Sequence, residues 1–183
     1  MFARIERKGT EMDNANWGSD LTTHTGLALH VRPARPEDET ALADLFRRVT
    51  PEDKRFRFLS SVKMGPEQLA SLTDVDHQQN ESFVAFEAGD NRIVGTAMLA
   101  CDADLEIGEV AISVSGDRKN MGLGWELLRH VERYAAAKGV KRLMSLENRA
   151  NKSAIQIEQE FGFDAQSYEG DMTLVLLQKN LAD

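Results

Sequence analysis

Alternating apolar and polar positions predict β-strands in several short segments of the chain. Residues 27–34 alternate in this way, and Pro33 and Pro36 end the predicted strand because proline lacks a backbone donor. Two strand-like runs, 82–88 and 92–100, are separated by Gly-Asp-Asn and predict an antiparallel hairpin. Further strands are predicted over residues 107–114, 141–146 and 172–178.

Helical spacing of apolar residues marks the segments between these strands. After Pro36, four apolar residues recur at i, i+3, i+4 and i+7, which predicts an amphipathic helix. These four are Leu42, Leu45, Phe46 and Val49. Pro51 and Pro66 suit the first turn of a helix, so two shorter helices are predicted, reaching Phe58 and Leu72.

Two more helices are predicted in the second half of the chain. One follows a polar, glycine-bearing loop at 115–122 and stops near Gly139. Its apolar face consists of Leu123, Leu127, Leu128, Val131 and Ala135. Asn151 is expected to cap the other helix and Gly162 to end it. Its expected buried face consists of Ala154, Ile157 and Phe161.

The order of these elements predicts a mixed α/β domain of the α+β kind. About six or seven strands and four or five helices are expected, with a meander in the middle and later strands joined through helices. At ~150 residues per domain, 183 residues make one domain. Residues 1–26 lack periodicity and are expected to form a flexible N-terminal tail before a domain at 27–183.

The net charge and the cysteine content indicate which kinds of binding partner and which cellular compartment the chain favours. The formal net charge of −8 disfavours nucleic acid and anionic membranes as partners and favours cations such as amines. No apolar run approaches the ~18 residues that a membrane span needs. Cys101 is the single cysteine and the four histidines are scattered, so neither a disulfide nor a zinc site is expected. A cytoplasmic location fits best, and the oligomeric state stays open.

The segment most informative about chemistry is Lys119-x-x-Gly122-x-Gly124, which leads into the fourth predicted helix. Glycine at alternate positions removes Cβ atoms from the first helical turn, where backbone N–H groups lack internal partners. Such a turn binds phosphate groups. The spacing fits neither the dinucleotide fingerprint nor the phosphate loop of nucleotide hydrolases. Taken alone, it also fits a helix that simply begins at a glycine-containing loop.

The succession of elements around this motif resembles the GCN5-related N-acetyltransferase (GNAT) superfamily. The likeness extends over residues 29–179 and includes Asn151-x-x-Ala154 at the start of the fifth predicted helix and Phe161-Gly162-Phe163 at its end. Three further segments are similar to the catalytic domain of bacterial protein lysine acetyltransferases of the Pat type. They are VRPARPED at 31–38, RFRF at 55–58 and TDVD at 73–76.

This resemblance implies a single-domain GNAT fold with acetyl-CoA as co-substrate. The loop and helix start resemble the cradle for its pyrophosphate, and the Asn151 region lies near its pantetheine arm. The residues implied to bind acetyl-CoA are Ile112, Ser113, Val114, Lys119, Asn120, Met121, Gly122, Leu123, Gly124 and Asn151. In this list, the backbone N–H groups near 112–114 are also the expected donors to a tetrahedral oxyanion.

Glu109 is the predicted catalytic base and matches a glutamate in Pat-type domains. An amine with a pKa near ~10.4 is almost fully protonated at pH 7, and only its neutral form attacks a thioester. By strand alternation Glu109, Ala111 and Ser113 share a face that leads toward the proposed cofactor loop. Partial burial is expected to tune Glu109 as a base. The alternative is a solvated strand glutamate.

The sequence departs from the superfamily pattern at two positions. Lys119 stands where Gln or Arg is usual, so a cation is retained with different geometry. Glu158 stands where many members have a tyrosine that protonates the leaving thiolate, so that acid is missing. Tyr168 is the only other tyrosine considered for this role. A thiolate with a pKa near ~8.5 can leave without full protonation.

The sequence therefore predicts an acetyl-CoA-dependent N-acetyltransferase that acts by direct transfer, with a protein lysine as acceptor. In Pat-type enzymes the usual targets are acyl-CoA synthetases. Two alternatives stay open, namely a small amine such as a polyamine or aminoglycoside as acceptor, and a non-catalytic acyl-CoA-binding module. A basic and aromatic segment, expected at the lip of the substrate site, contains Arg55, Phe56, Arg57, Phe58 and Lys63. His130 is expected on the solvated side of its helix.

Overall fold

The computed structural model describes residues 17–58 and 65–181, which contain eight strands and five helices. The strands are β1 (Ser19–Thr22), β2 (Ala28–Pro33), β3 (Asn80–Glu87), β4 (Ile93–Cys101), β5 (Ile107–Val114), β6 (Arg142–Asn148), β7 (Asp164–Ser167) and β8 (Leu174–Asn180). The helices are α1 (Glu39–Arg48), α2 (Pro51–Phe58), α3 (Pro66–Thr73), α4 (Leu123–Lys138) and α5 (Lys152–Glu160). In the described part of the chain, no helix is both long and apolar enough to cross a lipid bilayer.

All eight strands belong to one sheet, in the order β1-β2-β3-β4-β5-β6-β8-β7. Neighbouring strands are antiparallel except for β5 and β6, which are parallel. The parallel pairing begins at Ile107 opposite Arg142 and ends at Glu109 opposite Met144. Both strands continue beyond this point without pairing to each other. The sheet therefore has an opening between the later halves of β5 and β6.

The core lies on both faces of the sheet. Phe83 and Ala85 of β3 belong to the cluster packed against α4, whereas Val84 between them belongs to the cluster packed against α1 and α3. This alternation is what the period of two in a strand requires. The predicted apolar faces of the first and fourth helices are buried as expected. Gly139 ends α4 in the left-handed conformation, with a φ of 89°.

The predicted mixed fold is confirmed, with eight strands instead of six or seven. The extra strands, β1 and β7, have only four residues each, and every residue of β7 is exposed. Such short edge strands are held by backbone hydrogen bonds and carry little apolar alternation. The predicted flexible tail is wrong for residues 17–26, because Ser19–Thr22 pairs with β2 and the Trp17 ring packs 5.0 Å from Tyr134. Residues 1–16 lie outside the described part.

Two expectations about helix faces are also corrected. His130 is buried against Phe83, with ring centroids 4.7 Å apart, and is not solvated. Burial lowers the pKa of His130 to about 4, so the ring packs in its neutral form. In α5 the residues expected as the buried face are only partly buried, and Glu158 is the buried residue. Ala154 and Ile157 border a cavity, whereas Phe161 packs against the Trp125 ring, with centroids 4.2 Å apart.

Candidate active site

A cavity opens where β5 and β6 separate, and it is bordered by α2, the start of α4 and α5. Ten of the eleven residues predicted for the site line this cavity. Met121 is the exception, and its carbonyl accepts a hydrogen bond of 2.8 Å from the Thr25 hydroxyl. The fold thus brings together residues predicted for one site from β5, the loop before α4, the first turn of α4 and the N-cap of α5.

The loop before α4 offers unpaired backbone donors to this cavity. Within the described residues, no acceptor is recorded for the N–H groups of residues 119–124. Asn120 and Gly122 both have left-handed backbone, with φ of 60° and 88°. Successive N–H groups in such a turn, at the positive end of a 16-residue helix, form a binding site for an anion. The loop therefore fits a phosphate-bearing ligand.

The two glycines of the loop have different surroundings. A Cβ built on Gly124 would meet only the Ile157 Cδ1 atom, at 3.5 Å, so space for a ligand lies beside it. A Cβ on Gly122 would lie 2.7 Å from the His24 Nδ1 atom and 3.1 Å from the Thr23 Cβ atom. Gly122 is therefore required by the packing of the segment after β1, in addition to any ligand.

Lys119 lies at the cavity but has a partner already. Its Nζ atom is 2.9 and 2.8 Å from the two carboxylate oxygens of Asp53 on α2. The neighbouring Arg118 donates hydrogen bonds of 3.0 and 2.9 Å to the Glu87 carboxylate. Arg118 is thus anchored to the end of β3, whereas Lys119 joins the loop to α2.

The edge of β5 that faces the opening carries further backbone donors. The Ser115 N–H donates to the Val94 carbonyl on the β4 side, at 2.9 Å. Because hydrogen bonds alternate along an antiparallel strand, the N–H groups of Ile112 and Val114 point toward the opening instead. The Ser113 hydroxyl is buried without a hydrogen-bond partner among the described residues. These groups can serve a polar ligand placed between β5 and β6.

Glu109 lies at the last paired position of β5, where the opening begins, and its side chain lines the cavity. The partial burial expected from the sequence is not found, because Glu109 is exposed. Its negative charge acts on the Arg57 guanidinium, which burial otherwise shifts to a lower pKa. Arg57 and Phe56 line the cavity, in line with the lip position predicted for this segment, while Lys63 lies outside the described residues.

Two more carboxyl groups complete the cavity wall, the buried Glu158 and the partly buried Glu147, and neither was predicted for the site from the sequence. Burial raises the pKa of Glu147 to about 7 and that of Glu158 to about 8. The Asn151 side-chain amide donates to Glu147 at 2.8 Å and does not cap α5 as expected. The available signal was the place of Glu158 in the sequence, four residues after Ala154 on the predicted apolar face of α5.

The structure thus defines a mixed α/β protein in which a glycine-containing loop with unpaired N–H groups opens onto a cavity lined by three glutamates. A model of the acetyltransferase (GNAT) family matches residues 41–163. An acetyltransferase of Pseudomonas aeruginosa is 32% identical over 154 residues, which cover 82% of this chain and 83% of that protein. The chain therefore belongs to the GNAT family of acetyltransferases.

Two solved structures with the same fold are a GNAT domain and a spermidine N-acetyltransferase. The GNAT domain of S. lividans PAT has a TM-score of 0.83 at 21% identity, covering 91% of this chain and 98% of that domain. The spermidine N-acetyltransferase of Vibrio cholerae, solved in complex with CoA and spermine, has a TM-score of 0.69 at 15% identity. That comparison covers 84% of this chain and 95% of the other. The predicted likeness to Pat-type domains is confirmed for the fold.

Proposed function

We propose that this protein transfers an acetyl group from acetyl-CoA directly to an amine, and that the acceptor is a lysine side chain of another protein. The observation that carries the proposal is that one cavity joins the anion-binding loop at 119–124 to Glu109. The first feature suits the pyrophosphate of CoA, and the second suits an amine that must lose a proton.

The donor would lie along the opening of the sheet. The loop N–H groups and Lys119 would hold its phosphates, and the space beside Gly124 admits the close approach that this requires. The N–H groups of Ile112 and Val114 face the opening, where they are suited to donate to an oxyanion as the thioester is attacked. This arrangement supports acetyl-CoA as the donor.

Glu109 would act as the general base. Its exposed carboxylate borders both the cavity and the solvent, so it can take a proton from the attacking nitrogen directly or through one water. The attack forms the N–C bond, and the thiolate of CoA then leaves. Direct transfer is favoured over an acetylated enzyme because Cys101, the single cysteine, does not line the cavity.

The exposure of Glu109 supports a lysine on a protein surface as the acceptor, because such a side chain can reach the base without enclosure of its carrier. A small polyamine is the second candidate. The carboxylates of Glu109 and Glu147 in the cavity would attract a compact cation, and a spermidine N-acetyltransferase has the same fold. The formal net charge of −8 suits both acceptors.

A panel of amines tests the proposal. The protein is incubated with acetyl-CoA and, separately, lysine peptides, a folded acyl-CoA synthetase, spermidine or an aminoglycoside, while CoA release and acetylated product are measured. Reactions without amine correct for the Cys101 thiol. Transfer to peptide or synthetase lysines at the highest kcat/KM supports the proposal. Faster transfer to spermidine would identify a small amine as the acceptor. Binding of acetyl-CoA without any transfer would contradict the proposed acetyltransferase activity.

A further inference from the structure

Glu158 is placed at the same level of the sheet as Glu109, on the other side of the opening. Met144 is the last residue of β6 that pairs with β5, and its partner there is Glu109. The next residue, Ser145, is 1% exposed, and its hydroxyl donates a hydrogen bond of 2.7 Å to the Glu158 Oε2 atom. Glu158 itself is 7% exposed and lines the cavity.

The surroundings of Glu158 favour its neutral form. Burial is the main reason that the pKa of Glu158 is raised, and the negative charge of Glu147 adds to it. Glu147 is better compensated, because it accepts the Asn151 hydrogen bond and lies near the positive charge of Arg57. Glu158 is therefore the carboxyl group of this wall that keeps a proton at neutral pH.

We propose that Glu158 is the general acid of the reaction, the group that protonates the thiolate of CoA as it leaves. This inference rests on the proposed acetyl transfer. The cavity then carries a proton acceptor on the β5 side of the opening and a proton donor on the β6 side. A buried neutral carboxyl group is well suited to donate a proton in the transition state.

The step balances in atoms and electrons. The acceptor ammonium gives one proton to Glu109, and the lone pair of the resulting neutral amine forms the N–C bond. The nitrogen then gives its second proton to the water of the open cavity. The C–S bond breaks with its electron pair on sulfur, and sulfur takes one proton from Glu158. One turnover leaves Glu109 protonated and Glu158 ionised. Proton exchange with the water at the open cavity restores both groups.

Glu158→Gln tests this role, with Glu160→Gln as the matched control. Glutamine imitates the shape and hydrogen bonding of a neutral carboxyl group but supplies no proton, so fold and acetyl-CoA affinity are expected to persist. Glu160 is exposed on the same helix and does not line the cavity. The expected loss in kcat is about 100-fold for Glu158→Gln, the lower end for a general acid because a thiolate is a stable leaving group. No loss is expected for Glu160→Gln.

Two further measurements distinguish an acid from a merely structural residue, namely the pH dependence of kcat and the rate with a donor that has a different leaving group. Wild-type kcat should decline above pH about 8, as Glu158 loses its proton, and Glu158→Gln should lack this decline. With p-nitrophenyl acetate as donor, whose phenolate needs no proton to leave, Glu158→Gln should regain the wild-type rate of amine acetylation, whereas Glu109→Gln should not.

The outcomes separate this inference from the proposed function. If wild type transfers acetyl groups while Glu158→Gln keeps kcat within twofold and the same alkaline decline, Glu158 is not the acid and the transferase assignment stands. If Glu158→Gln is equally slow with both donors, its role lies outside leaving-group protonation and the inference is overturned. If wild type itself transfers nothing from acetyl-CoA to any amine, the proposed function fails first.

Discussion

The ammonium group of Lys119 is bound by both carboxylate oxygens of Asp53, at 2.9 and 2.8 Å, across 66 positions of sequence. This pair ties α2 to the loop whose backbone N–H groups face the cavity. A phosphate that approaches the loop therefore meets a cation already balanced by a carboxylate. Asp53 lowers the positive potential of the loop, so the proposed binding of acetyl-CoA should depend on both residues.

Lys119→Ala should weaken acetyl-CoA binding far more than pantetheine binding, because the expected partner of Lys119 is the pyrophosphate, which pantetheine lacks. Lys119→Arg should be tolerated, since it retains the cation. Calorimetric titration of each variant with both ligands measures the difference. Equal losses for the two ligands would assign Lys119 to another role.

Asp53→Asn should tighten acetyl-CoA binding by about threefold to tenfold, because the carboxylate that competes with phosphate for Lys119 is gone. Asp164→Asn, on the exposed strand β7, controls for the change in net charge and should leave the affinity as it is. Weaker binding by Asp53→Asn would show instead that Asp53 holds Lys119 in its binding position.

Gly124→Ala and Gly122→Ala should separate ligand contact from folding. Gly124→Ala introduces a methyl group that meets only Ile157 at an ordinary distance, and alanine favours a helix, so the fold should keep or gain stability. Its acetyl-CoA affinity should fall sharply. Gly122→Ala should lower the melting temperature without ligand, because its φ of 88° and the nearby His24 disfavour a side chain. Unchanged affinity in Gly124→Ala would place the phosphates elsewhere.

Acetyl-CoA should stabilise the folded protein. At a concentration 100-fold above its dissociation constant, linkage gives about 2.7 kcal/mol. For a domain of this size that free energy corresponds to a rise in melting temperature of about 5–10 °C. Differential scanning calorimetry with and without the ligand measures it. No shift at millimolar acetyl-CoA would contradict the assignment of the loop as its binding site.

The raised pKa values of Glu147 and Glu158 predict that the free energy of unfolding falls as pH rises. Burial raises the pKa of Glu158 from its ordinary value near 4.5 to about 8 in the folded state. The contribution of Glu158 to stability is therefore fully present below pH about 4.5. The contribution is lost as pH rises toward and through about 8, and Glu147 acts in the same direction up to about 7. The slope for one group is at most about 1.4 kcal/mol per pH unit.

Denaturant unfolding at pH 5, 7 and 9 checks this dependence. Wild type should lose stability between pH 5 and 9, and Glu158→Gln should flatten the curve because its side chain does not titrate. Glu160→Gln should follow wild type. Parallel curves for Glu158→Gln and wild type would mean that Glu158 is ionised in the folded protein, and would also remove its proposed proton.

The sequence predicts those parts of the fold in which local pattern and burial agree. In α4 the glycines at both ends and the leucine spacing indicate the same helix, and its predicted start and stop are found. β7 was missed because all four of its residues are exposed, so its backbone bonds to β8 leave no trace in the hydrophobic pattern. β1 was missed because Leu21 is its only apolar residue that packs against the core, and one residue makes no alternating pattern.

The site was predicted where it follows one continuous segment and missed where distant segments meet. The loop at 119–124 and Glu109 lie on neighbouring elements of the chain, so their proximity follows from strand and helix order. The partnership of Lys119 with Asp53 depends on how α2 packs against β5, which no local pattern encodes. The sequence shows Glu158 only as the residue that replaces a tyrosine of the superfamily. Its burial against Ser145 depends on the contact between α5 and β6, which the sequence does not show.

The pH dependence of kcat for Glu109→Gln tests the central claim, direct acetyl transfer to an amine with Glu109 as base. With kcat and KM measured from pH 6.5 to 9.5 on the best acceptor, Glu109→Gln should keep its acetyl-CoA affinity and lose about 100-fold or more in kcat at neutral pH. Part of this loss should be regained at high pH, where more of the amine is already neutral. A raised KM with unchanged kcat over the whole range would contradict the claim, since Glu109 would then only attract a cationic substrate.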